Sequence, residues 1–487
     1  MDQQTTVLIG VGVYLALMLI VGIFAAGRTH DATDFMVAGR NLNLPMSTAT
    51  IMATWIGGGS ILGAAGAAHQ DGFLGVIADP FGTTLGLVII GLFVVRIIRR
   101  LKLMTNIQFF EMRYGKLAGF IASVGYSMSN VGWAGALMVA FGVMLESLTG
   151  FPLETGIIAG AAIMLVYTTA GGMWAVAMTD FVQIFIIIIG LFILLIVVLI
   201  NFGGVSAIWA DIPEGNFRMI PTEQTGLAWL DYLRAWLIIS LADAGSQSLM
   251  QRGLAARNER TAQNAFYFAA IGYITLGMIP VILGIIAAVY LPVMDDPESV
   301  IIVLAQENLH PILLAIFVGA ILSAVMSSAD SSLLAASSII TTNMLPYLGF
   351  KLSPKGHLRA LRIAIPVLGI MAAFIALEVQ AVYALVLDAN VMVLAALAVP
   401  FVLGIWWKKA NPYGGLAGMF AGLATWLFVI NVYEDLPSDL IGCIACLVTM
   451  LIVTPLTQKL SPPRRLVDID GNEVPLSNRL GTLKIFR

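Results

Sequence analysis

Apolar residues run through this chain in blocks of about 20 or more, each closed by a short polar or basic stretch. At 1.5 Å per residue a helix of that length crosses the ~30 Å hydrocarbon core of a bilayer. The blocks fall at 6–26, 45–68, 74–96, 118–147, 154–174, 180–202, 229–252, 263–291, 312–343, 360–378, 382–407, 413–433 and 438–457. The pattern predicts an all-α integral membrane protein of about 13 transmembrane helices.

Two blocks are interrupted at mid-membrane depth. The second reads TATIMATWIGGGSILGAAG, where Gly57, Gly58 and Gly59 make a continuous helix costly. The seventh reads ISLADAGSQSLMQR, where Asp243, Gly245, Ser246, Gln247 and Ser248 break the apolar run. Hydrocarbon supplies no partner for freed backbone groups, so a break survives only where protein, water or an ion satisfies them. The two blocks lie five spans apart and therefore cross in opposite directions. This predicts a 5+5 inverted repeat whose halves, 45–202 and 229–407, each begin with a broken helix, the layout of secondary transporters that bind at the repeat interface. Block 6–26 is then an extra N-terminal helix, 413–457 two C-terminal helices and 458–487 a cytoplasmic tail.

Composition agrees with the pattern. The chain of 487 residues is 59% hydrophobic and 11% charged with mean hydropathy +0.93, against about a quarter charged in soluble domains. The net charge of -3 therefore carries no message about nucleic acid, and none is expected as a partner. Charge sidedness does carry one. With 13 spans, all 25 Lys and Arg except Arg218 and Arg234 fall on one side. The positive-inside rule makes that side cytoplasmic and the N-terminus external. A multi-pass protein of a cell membrane, most simply a bacterial inner membrane, is expected. The first block has Asp2 before it and Arg28 after it, the reverse of a cleaved signal. Cys443 and Cys446, one helical turn apart in an apolar run, read as small apolar residues.

Block 312–343 contains LSAVMSSADSSLLAASS. On a helix, Ala324, Ser327, Ser328 and Ser331 share one arc of about 100°, with Asp330 at its edge. A carboxylate there costs about 2.5 to 3.5 kcal/mol on insertion scales, which makes Asp330 a functional candidate by default. Hydroxyls, carbonyls and carboxylates without clustered Cys or His suit a hard cation. The stretch TTAGGMWAVAMTDFVQ adds Asp180, expected at the cytoplasmic start of the sixth span. A hydrolase would need a nucleophile with a placed base, and His30, His69, His310 and His357 all lie near span ends, so no enzyme is expected.

ATWIGGG, TTAGGMWAVAMTDFVQIF and SAVMSSADSSLLAASS, in that order, resemble the sodium/solute symporter family and are most like its high-affinity choline transporter branch. The resemblance runs from DFMVAGRNL at 34–42 to NPYGGLAGMFAGL at 411–423. It implies the LeuT-type fold, Na+ as coupling ion and no organic cofactor. By matching positions, sodium would be held by the carbonyls of Ala53, Ile56 and Ala324 and the hydroxyls of Ser327 and Ser328. Asp180, Ser327, Asp330 and Ser331 match a second cation site that some members have. Trp55 and Trp133 match two aromatics of a quaternary-ammonium cage, while Ser246 stands at the third; Gly58, Asp243 and Gln247 complete the expected solute site.

The function expected is sodium-coupled symport of a small polar organic solute by alternating access, with a cationic or quaternary amine such as choline first among solutes. The alternatives are proton coupling through Asp330 or Asp180, uptake of a neutral amino acid, sugar or carboxylate, and a membrane sensor without transport.

Overall fold

An apolar block with no internal breaker folds as one helix in hydrocarbon, because only that conformation bonds every backbone group within its own segment. The computed structural model describes residues 3–222, 225–433, 435–475 and 480–481. Among them the elements are helices, with isolated bridges joining Leu42 to Ala256 and Val467 to Glu473. Ten helices of the described residues are long and apolar enough to span, and an eleventh span is the pair Leu44–Trp55 and Gly59–Gly75, bent by 62°. The remaining two expected blocks are also helical. Block 154–174 forms the first part of the helix Leu153–Asn201. Block 229–252 is divided into Gly226–Ser240 and Gln247–Ala255.

One boundary differs from expectation. The sixth span was to begin at Asp180, after a loop; instead helix continues from Leu153 to Asn201 with non-helical geometry at Gly172 (φ 65°, ψ -175°). The stretch MWAVAM contains no breaker, whereas Gly172 adopts a positive φ that other residues rarely tolerate. A Cβ there would also stand 2.7 Å from the Phe35 ring. Asp180 consequently lies about two turns inside the span and is buried, so it is not a helix-terminal acid.

The serine-rich helix, Pro311–Ile339, is buried continuously from Phe317 to Ile339. It packs between Lys116–Thr149, Leu153–Asn201 and the N-terminal helix Gln3–Ala26. The outer face of Gln3–Ala26 leaves Leu8, Val13, Ile20 and Phe24 exposed, the surface expected toward lipid. Cys443 and Cys446 are both buried, as free thiols, in Ser438–Leu456.

Basic residues at the ends of the spans meet the C-terminal segment. Arg96 and Arg100 each reach Glu259 at 2.9 Å, and Lys102 reaches Asp468 at 3.2 Å and Asp470 at 2.5 Å. The backbone N–H of Asn472 is the main reason that the Asp468 carboxyl lies below its usual range. Arg252, grouped by sequence with these cytoplasmic cations, departs from them. It is fully buried within the bundle.

Candidate functional site

The first break is built by capping. Asn43 accepts the Met46 N–H at 3.0 Å and starts Leu44–Trp55. At Ile56 the backbone leaves helical geometry (φ -73°, ψ 89°), turning its carbonyl off the helix axis. Ser60 then holds the gap. Its Oγ accepts the Gly57 N–H at 2.9 Å and faces the carbonyls of Gly57 at 3.1 Å and Trp55 at 3.2 Å.

Into this gap the serine helix projects two hydroxyls. Ser327 donates to the Ala53 carbonyl at 2.8 Å and lies 3.1 Å from that of Ala324; Ser328 donates to the Ala53 carbonyl at 3.2 Å. Ala53, Ala324, Ser327 and Ser328 thus come together as the sequence implied. Ile56 stands at the rim, where a Cβ on its neighbour Gly57 would approach Ser328 Oγ to 2.7 Å. Gly58 faces elsewhere: a Cβ there would meet that of Ala140 at 2.3 Å, so it serves close helix packing. Neutral carbonyl and hydroxyl oxygens without a carboxylate among them fit a monovalent cation better than a divalent one.

A second cluster adjoins the first. Ser331 donates to the Ser327 carbonyl at 2.7 Å. Arg252 Nη2 donates to Ser331 Oγ and lies 3.9 Å from Asp180 Oδ2, which also accepts the Thr50 hydroxyl. Arg252 Nη1 bonds the Ser248 carbonyl at 2.8 Å. Asp330, on the adjoining side, accepts the Thr168 hydroxyl at 2.5 Å. Sequence reading missed Arg252 because its position, last in ISLADAGSQSLMQR, resembles an ordinary flanking cation.

The second break is a single turn, Ala242–Gly245, followed by Ser246 (φ -55°, ψ 130°). Asn106 clamps it: its side-chain amide donates to the Gly245 carbonyl, and its backbone N–H donates to Gln247 Oε1 at 2.7 Å. Gln247 is therefore committed to the loop at Asn106, and Ser246 pairs with Ser248 at 2.9 Å. Asp243 is buried, and its Oδ2 has no hydrogen-bond partner among the described residues; the Tyr126 hydroxyl is in the same position. The ring that meets Trp55 is that of Tyr273, edge-on at 6.1 Å. Tyr273 in turn donates to Asp79 at 2.7 Å. Trp133 is half-buried on Lys116–Thr149. Asp79 and Tyr273 went unread because neither belongs to a run of polar residues; Tyr126 heads the cluster YSMSN, which is the signal that could have found it.

A helix broken at mid-depth, set against a helix whose hydroxyls face the gap, defines a cation-coupled secondary transporter of LeuT type. Residues 35–422 match the sodium:solute symporter family, and the chain belongs to it. Among its relatives, the high affinity choline transporter 1 of Homo sapiens is 30% identical over 441 residues, covering 85% of this chain and 75% of that protein. The osmoregulated proline transporter of Bacillus subtilis (strain 168) is 26% identical over 475 residues, covering 92% and 94%. A solved Na+-coupled sialic acid symporter, in a substrate-bound outward-open state, shares the fold with TM-score 0.79 and 20% identity, covering 94% of this chain and 98% of that one. The protein is a multi-pass, sodium-coupled solute symporter and not an enzyme.

Proposed function

We propose that the carbonyls of Ala53, Ile56 and Ala324 and the hydroxyls of Ser327 and Ser328 bind the coupling sodium, and that the cargo is a small organic cation. The observation that carries the ion site is the convergence of both serine hydroxyls on the Ala53 carbonyl, 2.8 and 3.2 Å away, beside the first break. With sodium bound, these hydroxyls turn their protons away and present lone pairs. Sodium thereby ties the broken helix to the serine helix, and coupling follows if it favours one of the two access states.

The chain is read as two inverted halves, 45–202 and 229–407, with the N-terminus outside and the basic ends of the spans in the cytoplasm, in a bacterial inner membrane. For the solute, Trp55 supplies an aromatic face, as does Tyr273, and Asp243 supplies a carboxylate oxygen lacking a partner. Trp133 and Ser246 are the remaining proposed solute-site residues. Relatives named as choline transporters favour a quaternary amine; Asp243, which can accept N–H bonds, favours a protonated amine.

Proteoliposomes holding the full chain test this with radiolabelled choline and a panel of protonated amines, betaines, amino acids, sugars and carboxylates under an inward sodium gradient. Accumulation of a cationic amine, lost in Trp55→Ala and cut at least tenfold in Asp243→Asn, is expected. Accumulation of a sugar or carboxylate alone contradicts the cation reading, and equal uptake on a pH gradient in sodium-free buffer contradicts sodium coupling.

A further inference from the structure

Taking the sodium site above as the first, we infer that the second cation site is already filled by the chain itself: the Arg252 guanidinium stands where a second sodium would bind, so one sodium binds per chain. The second-site residues were Asp180, Ser327, Asp330 and Ser331. Two of them, Asp180 and Ser331, face Arg252 Nη2 directly, and Ser331 is joined to Ser327 by its own hydrogen bond.

Space and charge lead to the same conclusion. An ion bridging Asp180 Oδ2 and Ser331 Oγ would need the volume that Nη2 occupies. At about 4 Å and an effective dielectric of about 20, repulsion between two unit charges weakens binding of the second by roughly 10³-fold. The Ser248 carbonyl fixes the other guanidinium nitrogen at 2.8 Å, so the group is held from the second broken helix and cannot simply swing aside. Burying a guanidinium is tolerated only with paired charge, and Asp180 supplies it. Asp330 also acts on Arg252 electrostatically. Two carboxylates therefore face two cations, one fixed and one mobile, and the cluster is neutral when a single sodium is bound.

Arg252 also connects separate helices. It belongs to Gln247–Ala255, Thr50 and Ala53 belong to Leu44–Trp55, and Ser331 to Pro311–Ile339. A tethered cation thus links the second broken helix directly to the serine helix and, through Asp180 and the Thr50 hydroxyl that Asp180 accepts, to the first broken helix, whereas a sodium in its place would leave with each cycle.

The test is equilibrium binding of ²²Na+ to the purified full chain in sodium-free choline-free buffer, with potassium as the balancing ion. One sodium per chain and a Hill coefficient near 1 are expected. Two per chain overturn the inference while leaving the first site intact. None overturns the first site itself, so the two failures are distinct. Arg252→Lys keeps the charge and should still bind one. Arg252→Gln should bind a second sodium, seen as a rise in stoichiometry toward two; a folded Arg252→Gln that still binds one contradicts the inference. Should that variant fail to fold, the wild-type count decides.

Discussion

Ser327 and Ser328 differ from most serines on their helix in where their protons go. Ser323, Ser332 and Ser338 bond back to carbonyls four residues earlier, at 2.8, 3.0 and 2.7 Å, the ordinary way for a buried hydroxyl to be satisfied in a membrane helix. Ser327 and Ser328 instead reach across to Ala53. The sequence shows seven serines alike; only a partner helix within reach separates the proposed ligands from self-satisfied hydroxyls. The resemblance singled out the pair that faces the Ala53 carbonyl, whereas helical spacing alone includes Ser331, which accepts from Arg252. Gly57 marks the same contact from the other side. Gly57→Ala would press a methyl to 2.7 Å from Ser328 Oγ and 3.1 Å from Leu137 Cδ2. We expect a folded protein whose half-saturating sodium rises at least tenfold, measured by sodium-dependent thermal stabilisation; an unchanged sodium midpoint would show that Ser328 does not bind the ion.

At the scale of elements, both broken helices were legible because glycine triplets and clustered polar residues are expensive in hydrocarbon and have no use in a plain span. The division at Gly172 is less legible, since a positive-φ glycine followed by good helix formers leaves little trace in hydropathy and Asp180 is the more conspicuous boundary. What holds the second break was not legible at all. Asn106 lies about 140 residues away in sequence, and its role is visible only in the fold. Its Oδ1 has no partner among the described residues while its amide serves the Gly245 carbonyl, so the side chain is kept for its donor. Asn106→Ala would leave that buried carbonyl unbonded, a cost of about 1–3 kcal/mol. The expected outcome is a melting temperature lowered by a few degrees with sodium stoichiometry retained; a variant as stable as the parent would mean the break holds without the clamp.

For the whole molecule, transport depends on whether sodium stabilises one arrangement of the two broken helices against the serine helix. The membrane class, the span pattern and the family were all readable in the chain, because solvent dictates them over hundreds of residues. The buried Arg252 was not, since a cation near a span end reads as cytoplasmic until packing shows which way the helix turns. The proposed sodium would join Ala53 to Ser327 and Ser328. A charge-assisted contact of this kind contributes about 1.5–3 kcal/mol, so Ser327→Ala or Ser328→Ala alone should weaken sodium binding roughly 10- to 100-fold, and the two together should remove it. The direct measurement is a sodium titration of thermal stability, against potassium at constant ionic strength, for the parent and the double variant. Saturable stabilisation by sodium in the parent, absent in a double variant that still melts cooperatively, is the predicted result; the same sodium midpoint in both proteins would contradict the site.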